Sequence, residues 1–192
     1  MGIVMQVMQT ITINCGPSQP PLEIIPATTY RIVAPDSLAC ARLVREALRI
    51  PEVELVPRNG GLLSNLSVSE NIMLPAVYHG RLGKTDAEER VYGALEMCGA
   101  ARDRAEALCT RPVADLNNFE RRLTVFVRCL LMCPPVLVME RTFERLTTEE
   151  MRRVGQFADL YRERVPEGSV IMLDIAGAAD ANITCDHQVH VQ

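Results

Sequence analysis

The stretch LNNFERRLTVFVRCLLMCPPVLVMERTFERL, residues 116–146, decides how the rest of the chain is read. Residues 119–132 predict a helix, and Pro134 with Pro135 ends it, because proline cannot continue a helix. The following Val136, Leu137, Val138 and Met139 are apolar without alternation, which predicts a strand covered on both faces, as in a parallel sheet. Helix, sharp break and bare strand in that order predict an α/β chain.

Outward from this stretch the same grammar repeats. On its carboxyl side, residues 148–164 predict a helix, 169–173 a strand and 187–191 a last strand. On its amino side, short strands are expected at residues 9–14, 22–25 and 30–33, followed by a turn at Ala34, Pro35, Asp36 and Ser37. Residues 38–48 then carry apolar side chains at helical spacing, and 54–56 form another short strand candidate. Ser67 and Glu70 make a capping box for a helix running toward Tyr78. Thr85 and Glu88 suggest a second, with Val91, Leu95 and Cys98 at helical spacing behind it.

Composition narrows the function classes. The 192 residues fit one domain with a substantial core, and 24 acidic against 20 basic side chains give a net charge of −4. All the basic residues but Lys84 are arginine, and none lies in a run longer than two, so coating of nucleic acid is excluded as a main activity. No stretch reads as a signal peptide or membrane span, which places the expected chain in the cytoplasm. The seven cysteines contain no CxxC pair and are expected mostly as small buried residues.

Two stretches carry a family resemblance. Residues 60–75, GGLLSNLSVSENIMLP, look like the segment after the Q-loop of an ABC transporter ATP-binding subunit. Residues 116–146 look like that family's signature motif, its helix, the Walker B strand and the D-loop. The chain as a whole resembles this family, most nearly the ATPase of MCE-type lipid transporters. The resemblance implies a P-loop NTPase-like (ABC ATPase) α/β core in a single domain over residues 1–192, with a helical subdomain inserted at 65–120.

The positions that carry the family's chemistry have changed. A phosphate loop needs glycines, a lysine and a metal-binding hydroxyl; the matching positions hold Ala34, Ser37, Ala39, Cys40 and Ala41, with Asp36 among them. Arg58 stands at the Q-loop glutamine, and Leu116, Asn117, Asn118, Phe119 and Glu120 replace the signature run. Glu140 takes the metal-organising position and Arg141 that of the water-activating glutamate, where an arginine cannot serve as a base. Thr147 fills the D-loop aspartate position, no histidine follows Leu173 before His187, and no aromatic precedes Tyr30 to stack on adenine.

The expectation is therefore a catalytically inactive subunit with no catalytic residue, cofactor or metal, structural or regulatory in an MCE-type lipid transport complex. By the resemblance, its partner is a membrane permease whose coupling helix enters the groove at residues 58–75, through Arg58, Gly60, Leu62, Leu63, Leu66 and Asn71. A second copy or an ABC ATPase remains open as dimer partner, and the implied location is peripheral, on the inner face of the membrane. Three alternatives stand beside this reading: a divergent ATP-hydrolysing subunit, an enzyme using Cys40 at its helix start, and a soluble regulator of an intact ABC ATPase. Gly83, Lys84 and Thr85 mimic the end of a phosphate loop but follow a capped helix. Cys185, His187 and His190 are a weak metal set, since alternation puts the two histidines on opposite faces.

Overall fold

The computed structural model describes residues 11–16, 19–51, 53–178 and 184–191. The readings that fall on residues 1–10 lie outside these.

Five strands form one parallel sheet in the order β4-β5-β6-β3-β7: β3 (Thr29–Ala34), β4 (Val53–Val56), β5 (Val136–Glu140), β6 (Ser169–Ile175) and β7 (His187–His190). A separate antiparallel pair joins β1 (Ile11–Ile13) to β2 (Leu22–Ile24). The apolar run in β5 has a clear cause. Leu137 and Met139 enter one core while Val136 and Val138 enter another, so the strand is covered from both sides. In β6, Val170 and Met172 divide from Ile171 and Leu173 in the same way.

The face with β1 and β2 is covered by α1 (Ser37–Ala47), which buries Ala39, Cys40, Leu43, Val44 and Ala47. The other face carries α5 (Asn118–Met132), whose buried stripe includes Phe119, Leu123, Phe126 and Leu130. Its start is fixed by Asn117 in a capping box with Glu120, and its end by Cys133 in the left-handed conformation. Between β4 and α5 the chain forms α2 (Val68–Tyr78), α3 (Lys84–Met97), α4 (Arg102–Thr110) and a short 3₁₀ turn, Val113–Asp115. The Ser67–Glu70 capping box is present, with both reciprocal bonds.

Two local expectations are corrected. The Thr85–Glu88 box is not used: α3 starts at Lys84 behind Gly83, with no side-chain cap, so Thr85 already sits within the first turn. The helix expected over 148–164 is two, α6 (Thr148–Gly155) and α7 (Phe157–Arg164), sharing Gln156 as a cap. Phe157 stacks on Phe126 with ring centroids 4.1 Å apart, and the break beside Gly155 lets both Val154 and Phe157 be fully buried. No described helix is long and apolar enough to cross a membrane.

Five cysteines are buried: 15, 40, 98, 109 and 129. Burial pushes the thiols of Cys40 and Cys109 up to about 11 and those of Cys98 and Cys129 up to about 12. A thiol held above its ordinary value of 9.0 binds its proton more tightly in the folded chain. Its contribution to stability is complete below pH 9 and is lost as pH rises from there toward 11 or 12. Each of these thiols should cost up to about 1.4 kcal/mol per pH unit in that window. Urea unfolding in reductant should show a midpoint clearly lower at about pH 10 than near neutrality, and replacing these cysteines by alanine should flatten that difference.

Candidate functional site at the carboxyl ends of the sheet

All five strands of the main sheet point the same way, so the loops after β3, β4, β5 and β6 gather at one edge. Open parallel sheets place ligands outside the carboxyl ends of their strands. Here that edge is a net of charged side chains.

The turn from β3 into α1 is only Pro35 and Asp36 long. Ala34 is fully buried at the strand end, and Ser37 and the 74% exposed Leu38 open the helix. Asp36 is extended (φ −152°) and its carboxylate accepts the Ala39 amide at 2.8 Å. The carboxylate thus occupies the helix start, the place that a phosphate takes in a glycine-rich loop. Ala39 and Cys40 face the core and Ala41 is half-buried. Burial first, and then the Glu140 carboxylate, raise the Cys40 thiol, so it carries no thiolate near neutrality. That removes the support for the Cys40 alternative.

The loops after β4 and β5 meet across the edge. The Arg58 amide donates to Glu140 Oε2 at 3.0 Å, and the Arg58 guanidinium donates to Glu144 Oε1 at 2.7 Å, with its Nε in ion-pair contact 2.6 Å from Oε2. Arg141 lies 2.7 Å from Glu144 Oε2 through Nε and donates to Ser37 Oγ at 3.0 Å, which ties the β5 turn to the start of α1. Arg145 is 3.9 Å from Glu144. From below, the buried Arg122 of α5 donates to the carbonyls of Arg141 and Glu144, each at 2.9 Å. Arg141 and Arg145 both adopt positive φ, +48° and +56°. Asp174, buried at the end of β6, lies 3.9 Å from Arg31, and burial raises its carboxyl above the usual range despite that guanidinium. A cavity of about 310 Å³ opens beside the net, lined in part by Arg141, Glu144, Arg145 and Asp174.

The segment after β4 completes the edge. Gly60 is buried in a left-handed conformation (φ +84°), and an added Cβ would meet Arg121 Cβ at 2.9 Å, so only glycine fits the turn. Leu62 packs against the larger core, Leu66 is half-buried, and Leu63 is 49% exposed. Asn71 is only 2% exposed and lies behind the loop. It accepts the Leu63 amide at 2.7 Å and donates to the carbonyls of Leu63, Leu66 and Ser67 at 3.0, 3.3 and 2.9 Å. Its work is to shape the loop that presents Leu63. On α2, Leu74, Val77 and Tyr78 are exposed apolar side chains as well.

Residues the sequence reading did not single out are Arg122, the Arg31–Asp174 pair and the bond from Arg141 to Ser37. Only Arg122 left a signal, as a cation flanked by the stripe Phe119, Leu123 and Phe126. Lys84 begins α3 and acts electrostatically on Glu70, and His187 of the edge strand β7 lies tilted against Tyr30 of β3, ring centroids 5.3 Å apart.

No protein-family profile matches the chain. Among curated proteins, none matches either. Solved structures do match: CbiO1 from Clostridium perfringens, described as part of the ABC transporter complex CbiONQ, superposes with a TM-score of 0.64 at 16% identity, covering 81% of this chain and 70% of that one. The likeness shows an ABC ATPase-like, P-loop type fold. It also overturns one expectation. The fold is that of an enzyme family, so the expectation that this chain is no enzyme, drawn from altered motifs alone, is withdrawn.

Proposed function

We propose that the chain is the nucleotide-binding-type subunit of an ABC membrane transport complex, of the MCE lipid-transport kind. It docks from the inner face of the membrane onto a permease, through the segment of Arg58, Leu62, Leu63 and Leu66, which the buried Gly60 and Asn71 shape from behind, within a helical subdomain and core that form one domain. A second copy or another ABC ATPase is its dimer partner. The observation that carries the reading is the exposed Leu63, held on a loop fixed by four bonds to the buried Asn71. A large aliphatic side chain presented on a fixed loop suits an apolar helix as partner. The likeness to CbiO1, itself part of a transporter complex, supports the same reading.

The test uses Leu63→Asp, because Leu62 contributes to the core and Leu63 does not need to. The tagged chain, purified from detergent-extracted membranes of its own cell, should bring down a multispanning permease. Leu63→Asp should weaken that recovery by about tenfold or more, as expected when an interface anchor becomes a charge. Recovery undiminished by the substitution overturns the proposal.

A further inference from the structure

We propose that Glu144 is a clasp that holds the segment at residues 57–63 against the end of β5 without any bound ligand. This deepens the docking reading and rests on it for its consequence: the permease-facing loop is set in place by the protein's own ion pairs.

Three observations converge on Glu144. Its carboxylate is shared by guanidinium groups from two loops, Arg58 after β4 and Arg141 after β5, with Arg145 at 3.9 Å. Arg58 is the only one of these on the docking segment, and it reaches Glu144 by one charge-assisted hydrogen bond to Oε1 and an ion-pair contact at Oε2. The second observation is the backbone on either side. Arg141 and Arg145 bracket Glu144, and both sit at positive φ, a conformation that non-glycine residues hold only where surrounding contacts impose it. The third is the buried Arg122, which bonds the Arg141 and Glu144 carbonyls and fixes the turn from beneath. Strained turn, buried support and shared carboxylate all position one side chain, and that side chain grips the docking segment. Glu140 adds a lighter hold through the Arg58 amide. Glu144 and Arg122 are positioning residues, acting on the loop through Arg58.

Through Arg141 the clasp also reaches Ser37 at the start of α1. The β5 turn therefore joins the loops after β3 and β4.

Hydrogen–deuterium exchange of the full isolated chain tests the clasp, independently of any permease. Arg58→Gln removes only the arm on the segment and leaves Arg141 and Arg145 on Glu144; Glu144→Gln removes the shared anion. Both should raise amide exchange in peptides covering residues 57–63 by about tenfold, with β3 and β6 unchanged. If Glu144→Gln does not fold, Arg58→Gln alone decides. Exchange at 57–63 unchanged in a folded Arg58→Gln overturns the clasp. Loss of permease recovery with Leu63→Asp alongside an unchanged clasp variant would leave docking standing and the clasp refuted, so the two fail separately.

Discussion

Arg122→Met should lower the melting temperature by roughly 10 °C, the largest loss expected from any single change at the sheet edge. Arg122 is 2% exposed, and burial lowers its pKa from the ordinary arginine value. Methionine keeps most of the volume, so the loss is not a cavity. What disappears is a pair of charge-assisted bonds to the Arg141 and Glu144 carbonyls, each 2.9 Å long. Bonds to charged groups contribute about 1.5–3 kcal/mol each, and the carbonyls left behind are partly buried. Roughly 2–4 °C per kcal/mol for a chain of this size gives the estimate. Arg122→Lys should recover little of it, since one ammonium cannot reach two carbonyls in the fork geometry of a guanidinium. A melting temperature within about 2 °C of the parent would mean that the turn is held by other contacts.

Asn71→Leu is the second large effect. Leucine fits the space but removes the four side-chain bonds that Asn71 makes to residues 63–67: the acceptor for the Leu63 amide and the donors to the Leu63, Leu66 and Ser67 carbonyls. The Leu63 and Ser67 carbonyls keep the Leu66 and Asn71 amides as donors, while the Leu63 amide and Leu66 carbonyl lose the Asn71 side chain, and at about 1–3 kcal/mol for each such group a loss on the order of 3 kcal/mol is expected. Urea unfolding measures it as a lower midpoint at an unchanged slope. Exchange should rise at residues 63–67 in particular, and permease recovery should fall although Asn71 itself is buried. A variant that loses stability but keeps the loop protected and the recovery intact would show that Asn71 supports α2 alone.

Much of the fold was legible because its signals are local. Pro134 and Pro135 stop α5, and the bare apolar run of β5 reports a strand covered on both faces, whereas the Asn117–Glu120 box that starts α5 was not read. The Ser67 box and its helix to Tyr78 were legible for the same reason. The break at Gln156 was not, because it is imposed by the distant Phe126 against which Phe157 stacks. The unused Thr85 box shows the limit of local grammar, since starting one residue earlier moved the threonine off the cap.

The candidate site was legible as positions and not as a network. The sequence pointed to Arg58, Glu140 and Arg141 as altered stations. That Arg58 grips Glu144 across 86 positions of sequence, and that Arg141 reaches Ser37 across 104, depends on the strand order. Altered stations also invited too strong a conclusion about activity, because changed residues at a site say what the old groups no longer do. They do not exclude chemistry on an ABC ATPase-like fold by other groups.

The central claim is that the loop carrying Leu63 faces a permease in the assembled complex. Site-specific photocrosslinking from position 63 in native membranes tests it most directly, with the equally exposed Leu48 at the end of α1 as the comparison. The docking account predicts a crosslink from position 63 to a cytoplasmic helix of a multispanning membrane protein, and none from position 48. Crosslinks from position 63 only to non-membrane proteins, or equal membrane crosslinks from both positions, would contradict it.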